Sequence, residues 1–367
     1  LAEPGQRSRQ NPKRGASPSP QRSARRPYGS GGTELDQKLR AVVEELGVDD
    51  GNLTFEMLAT AVRLAREPVS RLDRKIANAA LKEMRYAFNV FSRYRDLRKV
   101  SVFGSARVPK TNPEYQVAKE LGRLMAARGW MVVTGAGPGI MQAGHEGAGK
   151  DLSIGVNIVL PLESKPNEFI ADNAKLINFK YFFTRKLMFM KEADAFVLCP
   201  GGFGTMDEAF ELLTLLQTGK SDLHPIVLLE SPGGTYWDGF ESYLREHLLG
   251  PGYIGEEDLG LYYRCQEPKD AVDEIERFYR VYHSQRYIGK QLVLRLRSTP
   301  SDSLLSSLSA EFSDILEGPI RITKTSPEEV RDNDSPALPR IAVPFDRQHF
   351  GRLRLLIDRL NEEGEAA

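Results

Sequence analysis

Ala195-Phe196-Val197-Leu198-Cys199-Pro200-Gly201-Gly202-Phe203-Gly204-Thr205-Met206-Asp207-Glu208 is the stretch on which the reading of this chain turns. An apolar, β-rich run over 195–199 passes directly into a glycine-rich turn, and the turn into a segment with helical apolar periodicity over 205–217. Glycines 201, 202 and 204 let the backbone turn sharply and approach a ligand. Thr205 sits where free helix N–H groups and the positive end of the helix dipole meet an anion. The pattern predicts a phosphate site. Glu208 lies one turn inside a helix expected to begin at Thr205, so its carboxylate can project beside that site, while Asp207 points elsewhere. A first-turn acid also complements the dipole, but the anion turn just before it makes Glu208 a candidate catalytic group.

Upstream and downstream of this stretch, short β-rich runs alternate with helical runs, the sign of a doubly wound parallel sheet of Rossmann-like α/β type. Strands are expected at 100–103, 130–134, 154–160, 176–179, 195–199 and 226–229. Helices are expected at 145–150, 182–192, 205–217, 237–249 and 269–282, with another capped by Asn112, opened by Pro113 and ended at Gly129. In such a sheet ligands settle outside the carboxyl ends of the strands. The turn Gly135-Ala136-Gly137-Pro138-Gly139 and the turn Gly104-Ser105-Ala106-Arg107 should therefore border the same cleft, which adds Gly104, Ser105, Gly135 and Gly137 to the candidate binding residues. The turn Gly135-Ala136-Gly137-Pro138-Gly139 departs from the G-x-G-x-x-G dinucleotide fingerprint and has no acidic ribose partner at the usual distance, which favours a mononucleotide over NAD. Arg185-Lys186, in an otherwise apolar run, opens the helix leading into strand 195–199. Arg185 could clamp a phosphate or ribose oxygen bidentately, with Lys186 beside it.

Four segments are expected: a basic tail over 1–32 too poor in apolar residues to fold, a helical extension over 33–98, the Rossmann-like nucleotide-binding domain over 99–283, and a small α+β appendage over 284–367. Within the appendage the polar, proline-bounded stretch 326–336 reads as a mobile loop. Basic and acidic residues both number 50, so no net field favours nucleic acid or an anionic membrane, and any anion site must be local. No run approaches the ~20 apolar residues of a membrane span, residues 1–32 lack the apolar core of a secretory signal, and Cys199 and Cys265 are too few for a disulfide framework. These features suit a soluble protein in the reducing cytoplasm. The five histidines lack paired-ligand spacing and there is no G-x-S-x-G, so neither a metal site nor a serine hydrolase is expected.

At 200–208 and at Arg185-Lys186 the chain resembles the LOG family, named after the LONELY GUY cytokinin-activating enzymes and often labelled lysine decarboxylases: the stretch matches the family pattern PGGxGTxxE. The similarity covers about 99–283. It implies a hydrolase that uses no cofactor and splits AMP or a cytokinin ribotide into free base and ribose 5-phosphate. Glu208 and Arg185 would be catalytic and Gly201, Gly202, Gly204 and Thr205 the phosphate loop, with Thr214 and Asn167 as substrate contacts. It also implies a homodimer or larger homo-oligomer. The extensions at both ends resemble those of longer bacterial relatives. A carrier that binds a nucleotide or molybdenum cofactor without turning it over is the alternative reading of the same cleft.

Overall fold

The computed structural model describes residues 28–160 and 165–363; the expected tail lies outside them as far as residue 27. Three helices come first, α1 (Thr33–Leu46), α2 (Gly51–Arg66) and α3 (Arg71–Ser92). Asp50 caps α2 by accepting the Leu53 amide at 3.0 Å. Val43, Phe55 and Ala59 form the small core that α1 and α2 share. Residues 28–32, expected as the end of the tail, are held to α1, since the buried Ser30 donates its amide to Asp36 at 2.7 Å.

From Lys99 strands and helices alternate: β1 (Lys99–Phe103), α4 (Pro113–Ala127), β2 (Met131–Thr134), α5 (Ile140–Ala148), β3 (Ser153–Ile158), β4 (Leu176–Phe179), α6 (Phe182–Glu192), β5 (Ala195–Leu198), α7 (Phe203–Gln217), β6 (Ile226–Leu229), α8 (Tyr236–Tyr243), β7 (Tyr263–Cys265) and α9 (Pro268–Phe278). All seven strands are parallel, in the order β4-β3-β2-β1-β5-β6-β7. β1, β2, β5 and β6 are buried along their whole length, as strands covered on both faces must be. Asn112 and Pro113 start α4 as expected, with the Asn112 side chain accepting the Glu114 amide at 2.8 Å. α5 begins at Ile140, five residues before the expected helix, because Gly139, at φ 67°, turns the chain directly into it.

The chain continues through β8 (Tyr282–Ile288), β9 (Gln291–Leu296), α10 (Asp302–Glu311), β10 (Arg321–Ile322), α11 (Pro327–Arg331), β11 (Arg340–Val343) and α12 (Phe350–Glu363). The four strands make an antiparallel sheet, β10-β11-β9-β8. β8 runs through the junction expected at 283/284. The stretch expected as a mobile loop contains α11, where Ser326 and Glu329 form a reciprocal capping box. Glu329 is fully buried and takes guanidinium bonds from Arg295 and Arg340 at 3.0 and 3.2 Å, so that polar stretch is pinned. A single hydrophobic cluster runs from the second half of α3 through the parallel sheet to Leu353, Leu356, Ile357 and Leu360 of α12.

Candidate functional site

Strand order reverses at β1: β2 lies on one side of it and β5 on the other, which makes the gap beyond the carboxyl ends of β1 and β5 the topological switch point. Two of the expected glycine turns flank this gap. They are joined by the Ser105 amide, which donates to the Pro200 carbonyl at 3.0 Å. The third turn, after β2, is tied to the first where the Ile140 amide donates to the Ser105 carbonyl at 3.1 Å.

The glycines serve different ends. An added methyl at Gly104 would strike Ile140, at Gly137 the Met141 side chain, and at Gly201 the Thr205 hydroxyl, so these three make room for the chain's own atoms. At Gly135 it would strike Nη2 of Arg185, which places the arginine directly against the turn after β2. Gly202 and Gly204 face open space and have no left-handed backbone to explain them.

α7 starts at Phe203, two residues earlier than expected, with Gly202 as its N-cap and no side chain capping it. Thr205 is therefore the third helical residue. Its amide donates to the Gly202 carbonyl at 3.0 Å and its side chain is buried. Glu208 falls one turn deeper, is 6% exposed, and has Oε2 without a hydrogen-bond partner. Burial raises its carboxyl to about 7, against the opposing pull of Lys186 and Arg185. The acid is thus buried under the influence of two cations and turned away from water.

Lys186 reaches the same face of α7, pairing with Asp207 at 2.9 Å and with Glu211. Burial alone would lower its ammonium, but the bonds to Glu211 and Asp207 raise it. Arg185 donates Nε to the Val156 carbonyl at 2.9 Å and lies over the Phe189 ring at 5.2 Å. Sequence gave no hint of what anchors their helix: Glu83 of α3 accepts the Lys180 amide at 3.0 Å and the Thr184 hydroxyl at 2.6 Å, a partnership across about a hundred residues. Tyr236 is the other residue missed. Its hydroxyl donates to the Gly201 carbonyl at 2.6 Å, and its own amide is held at 2.8 Å by the fully buried Glu230.

Asn167 spends its side chain inside the chain. Nδ2 donates to the carbonyls of Ala136 and Gly137, both at 3.0 Å, and Oδ1 accepts the Phe169 amide. Behind it His145, whose pKa burial lowers to about 4, has Nε2 3.0 Å from the Ile154 carbonyl. That carbonyl can only accept, so Nε2 carries the proton and Nδ1 is left as an acceptor, 3.3 Å from Asn167 Nδ2. The pair fixes the turn after β2, with Ala136 held in the left-handed region at φ 62°. Thr214 lies on the exposed face of α7, nearly two turns beyond Glu208, with its hydroxyl on the Phe210 carbonyl; within one chain it is not brought to the glycine turns. Among the described residues no three His, Cys, Asp or Glu side chains are placed to hold a metal.

A parallel sheet with glycine turns at its switch point and a buried carboxylate beside two cations defines an α/β protein of the Rossmann-like class. The family model described as "possible lysine decarboxylase" matches residues 138–275. A cytokinin riboside 5′-monophosphate phosphoribohydrolase of Mycobacterium tuberculosis is 30% identical over 158 residues, 43% of this chain and 82% of the relative. The rice enzyme of the same name is 30% identical over 195 residues, 50% of this chain and 75% of the relative. Among solved structures, the molybdenum cofactor carrier protein of Chlamydomonas reinhardtii aligns with TM-score 0.35 and 21% identity, over 49% of this chain and 97% of that one. The chain belongs to the LOG family, that of the cytokinin riboside 5′-monophosphate phosphoribohydrolases.

Proposed function

We propose that this protein hydrolyses the N-glycosidic bond of a purine nucleoside 5′-monophosphate, AMP or a cytokinin ribotide, releasing free base and ribose 5-phosphate. The observation that carries this reading is Glu208: a buried carboxyl under the influence of Lys186 and Arg185, one turn below Gly202 and Gly204, where an added side chain would meet nothing within 4 Å. The phosphate would sit on the uncapped start of α7, which fixes the ribose relative to the acid. As the bond from C1′ to the base nitrogen breaks, positive charge develops on the ribose. An ionised Glu208 stabilises that charge and takes a proton from the water whose oxygen joins C1′, while the base leaves carrying a proton from solvent. Arg185 holds the sugar phosphate.

The family's named activity supports this at the level of reaction class, and the choice of base is part of the proposal. Incubation with AMP and with cytokinin ribotides, followed by chromatography, is expected to show free base and ribose 5-phosphate. Tight binding of these nucleotides with no base released would assign the chain to the carriers. The working unit proposed is a homodimer or larger homo-oligomer. Phe203, 97% exposed at the tip of α7, and the exposed Phe182, Phe183 and Leu187 of α6 are apolar surface that an isolated chain would leave in water. Light scattering giving the mass of one chain would refute that.

A further inference from the structure

The glycine turns occupy the carboxyl ends of the strands; a cavity of about 500 Å³ lies at the other end. Its walls come from the residues that precede β1 (Arg95–Arg98), β5 (Asp194) and β6 (Asp222–His224), closed by the junction of α9 with β8. That volume suits a small metabolite.

The charges on its walls depart from the pattern of the rest of the molecule. Arg264, Arg286, Arg295, Arg340 and Arg354, all partly or wholly buried, each hold a carboxylate. Arg98 has its Cζ 3.6 Å from the Tyr279 ring centroid, its Nη1 is buried without a partner, and no carboxylate comes within 4.0 Å of it among the described residues. Asp222 lines the same cavity, is exposed, and has no Lys, Arg or His nitrogen within 4.0 Å of its carboxylate among the described residues. A cation and an anion that share a cavity without pairing leave room for a ligand that satisfies both.

The two sides ask for different chemistry. On the first, Arg95 and Arg98 stand beside His283, whose pKa burial and the arginines 98, 297 and 295 push down to about 4, so the local potential is positive. On the second, the Tyr279 hydroxyl gives its proton to the Asp194 carbonyl at 2.6 Å, so His224 Nδ1, 3.0 Å from that hydroxyl, must donate and leave Nε2 as an acceptor. Asp222 and His224 thus call for hydrogen-bond donors. The rings of Tyr279 and Tyr282 are buried and offer no face on which a base could stack. Asp96 and Asp194 also line the cavity; the Asp194 carboxylate is engaged by the Lys99 amide at 2.9 Å.

We propose that this cavity is a second ligand site, taking a sugar phosphate, with the phosphate on Arg98 and Arg95 and sugar hydroxyls on Asp222 and His224. It is independent of the chemistry proposed at the glycine turns. The test is calorimetric titration of the full chain with ribose 5-phosphate, in a Gly204→Asp background where an added carboxylate repels phosphate from the start of α7. One equivalent should still bind. Arg98→Gln and Asp222→Asn should each weaken it about tenfold or more, and the exposed Arg95→Gln, which cannot disturb the core, by a few-fold. Ribose alone and inorganic phosphate alone should each bind at least about tenfold more weakly, while the Arg98→Gln chain with Gly204 intact should release base from AMP like wild type. No bound equivalent in the Gly204→Asp chain, or one indifferent to all three substitutions, overturns the site. Failure of base release in the wild type leaves these titrations readable and counts only against the catalytic reading.

Discussion

Glu208 shows how one residue can be costly to the fold and useful to a reaction. Its folded carboxyl titrates at about 7, above the ordinary 4.5, so the fold opposes its ionisation. The cost is absent below about pH 4.5, grows between the two values and is complete above 7. There it amounts to about 3 kcal/mol at 1.36 kcal/mol per pKa unit. Glu208→Gln should therefore unfold at higher urea than wild type at pH 8.5 and at nearly the same urea at pH 4.5. An equal difference at both would show that the carboxyl is not strained. The same substitution should lower base release by about 10²- to 10⁴-fold with nucleotide binding retained. Because the ionised form does the work, kcat/KM should rise through about pH 7 from the acid side; a flat profile from 5.5 to 8 contradicts the assignment. The motif glutamate was legible from its spacing behind the glycines. The anchors of α6 and of the glycine turn were not, since Glu83 and Tyr236 reach them from other parts of the chain and carry no local signature.

Among elements, those legible in the sequence were the short apolar runs that become central strands, because burial on both faces leaves a continuous hydrophobic signal. β7, only three residues long at the sheet edge, and β8, whose residues Tyr-His-Ser-Gln-Arg-Tyr-Ile mix polar and apolar on both faces, gave no such signal. α11 was missed for a different reason. Composition marks 326–336 as polar, yet the partners of its buried Glu329 stand 34 and 11 residues away. Burial would raise that carboxyl, but the Ser326 amide and the two guanidiniums outweigh it and hold it at about 2. A folded value below the ordinary 4.5 stabilises the fold above that pH, by roughly 3 kcal/mol, and the gain is lost as pH falls from 4.5 toward 2. Proteolysis within 326–336 should accelerate over that interval in wild type. Glu329→Gln should be cut readily already at pH 7, and equal rates for the two at pH 7 would refute the pinning.

For the molecule as a whole, residues 79–367 form one compact unit, and α12 is what joins its parts. Arg354, 2% exposed, bonds to Glu274 of α9 at 2.7 Å, and Asn361 accepts the amides of Val281 and Tyr282 at 2.9 Å while donating to the Phe278 carbonyl. Losing one partner of such a buried charge pair costs about 3–5 kcal/mol, on the scale of a whole domain's stability. A chain ended at residue 283 is expected to be insoluble or unfolded by circular dichroism, and a soluble, cooperatively melting product would show that the parallel sheet stands without α12.

The start of α7 has a consequence for anyone handling this protein. A helix whose first turn has no side-chain cap among the described residues will borrow one from the solution, and orthophosphate or sulfate in a common buffer readily supplies it. Such salts should raise the melting temperature and compete with the nucleotide, so assays in a bulky zwitterionic buffer should read faster than those in phosphate-buffered saline.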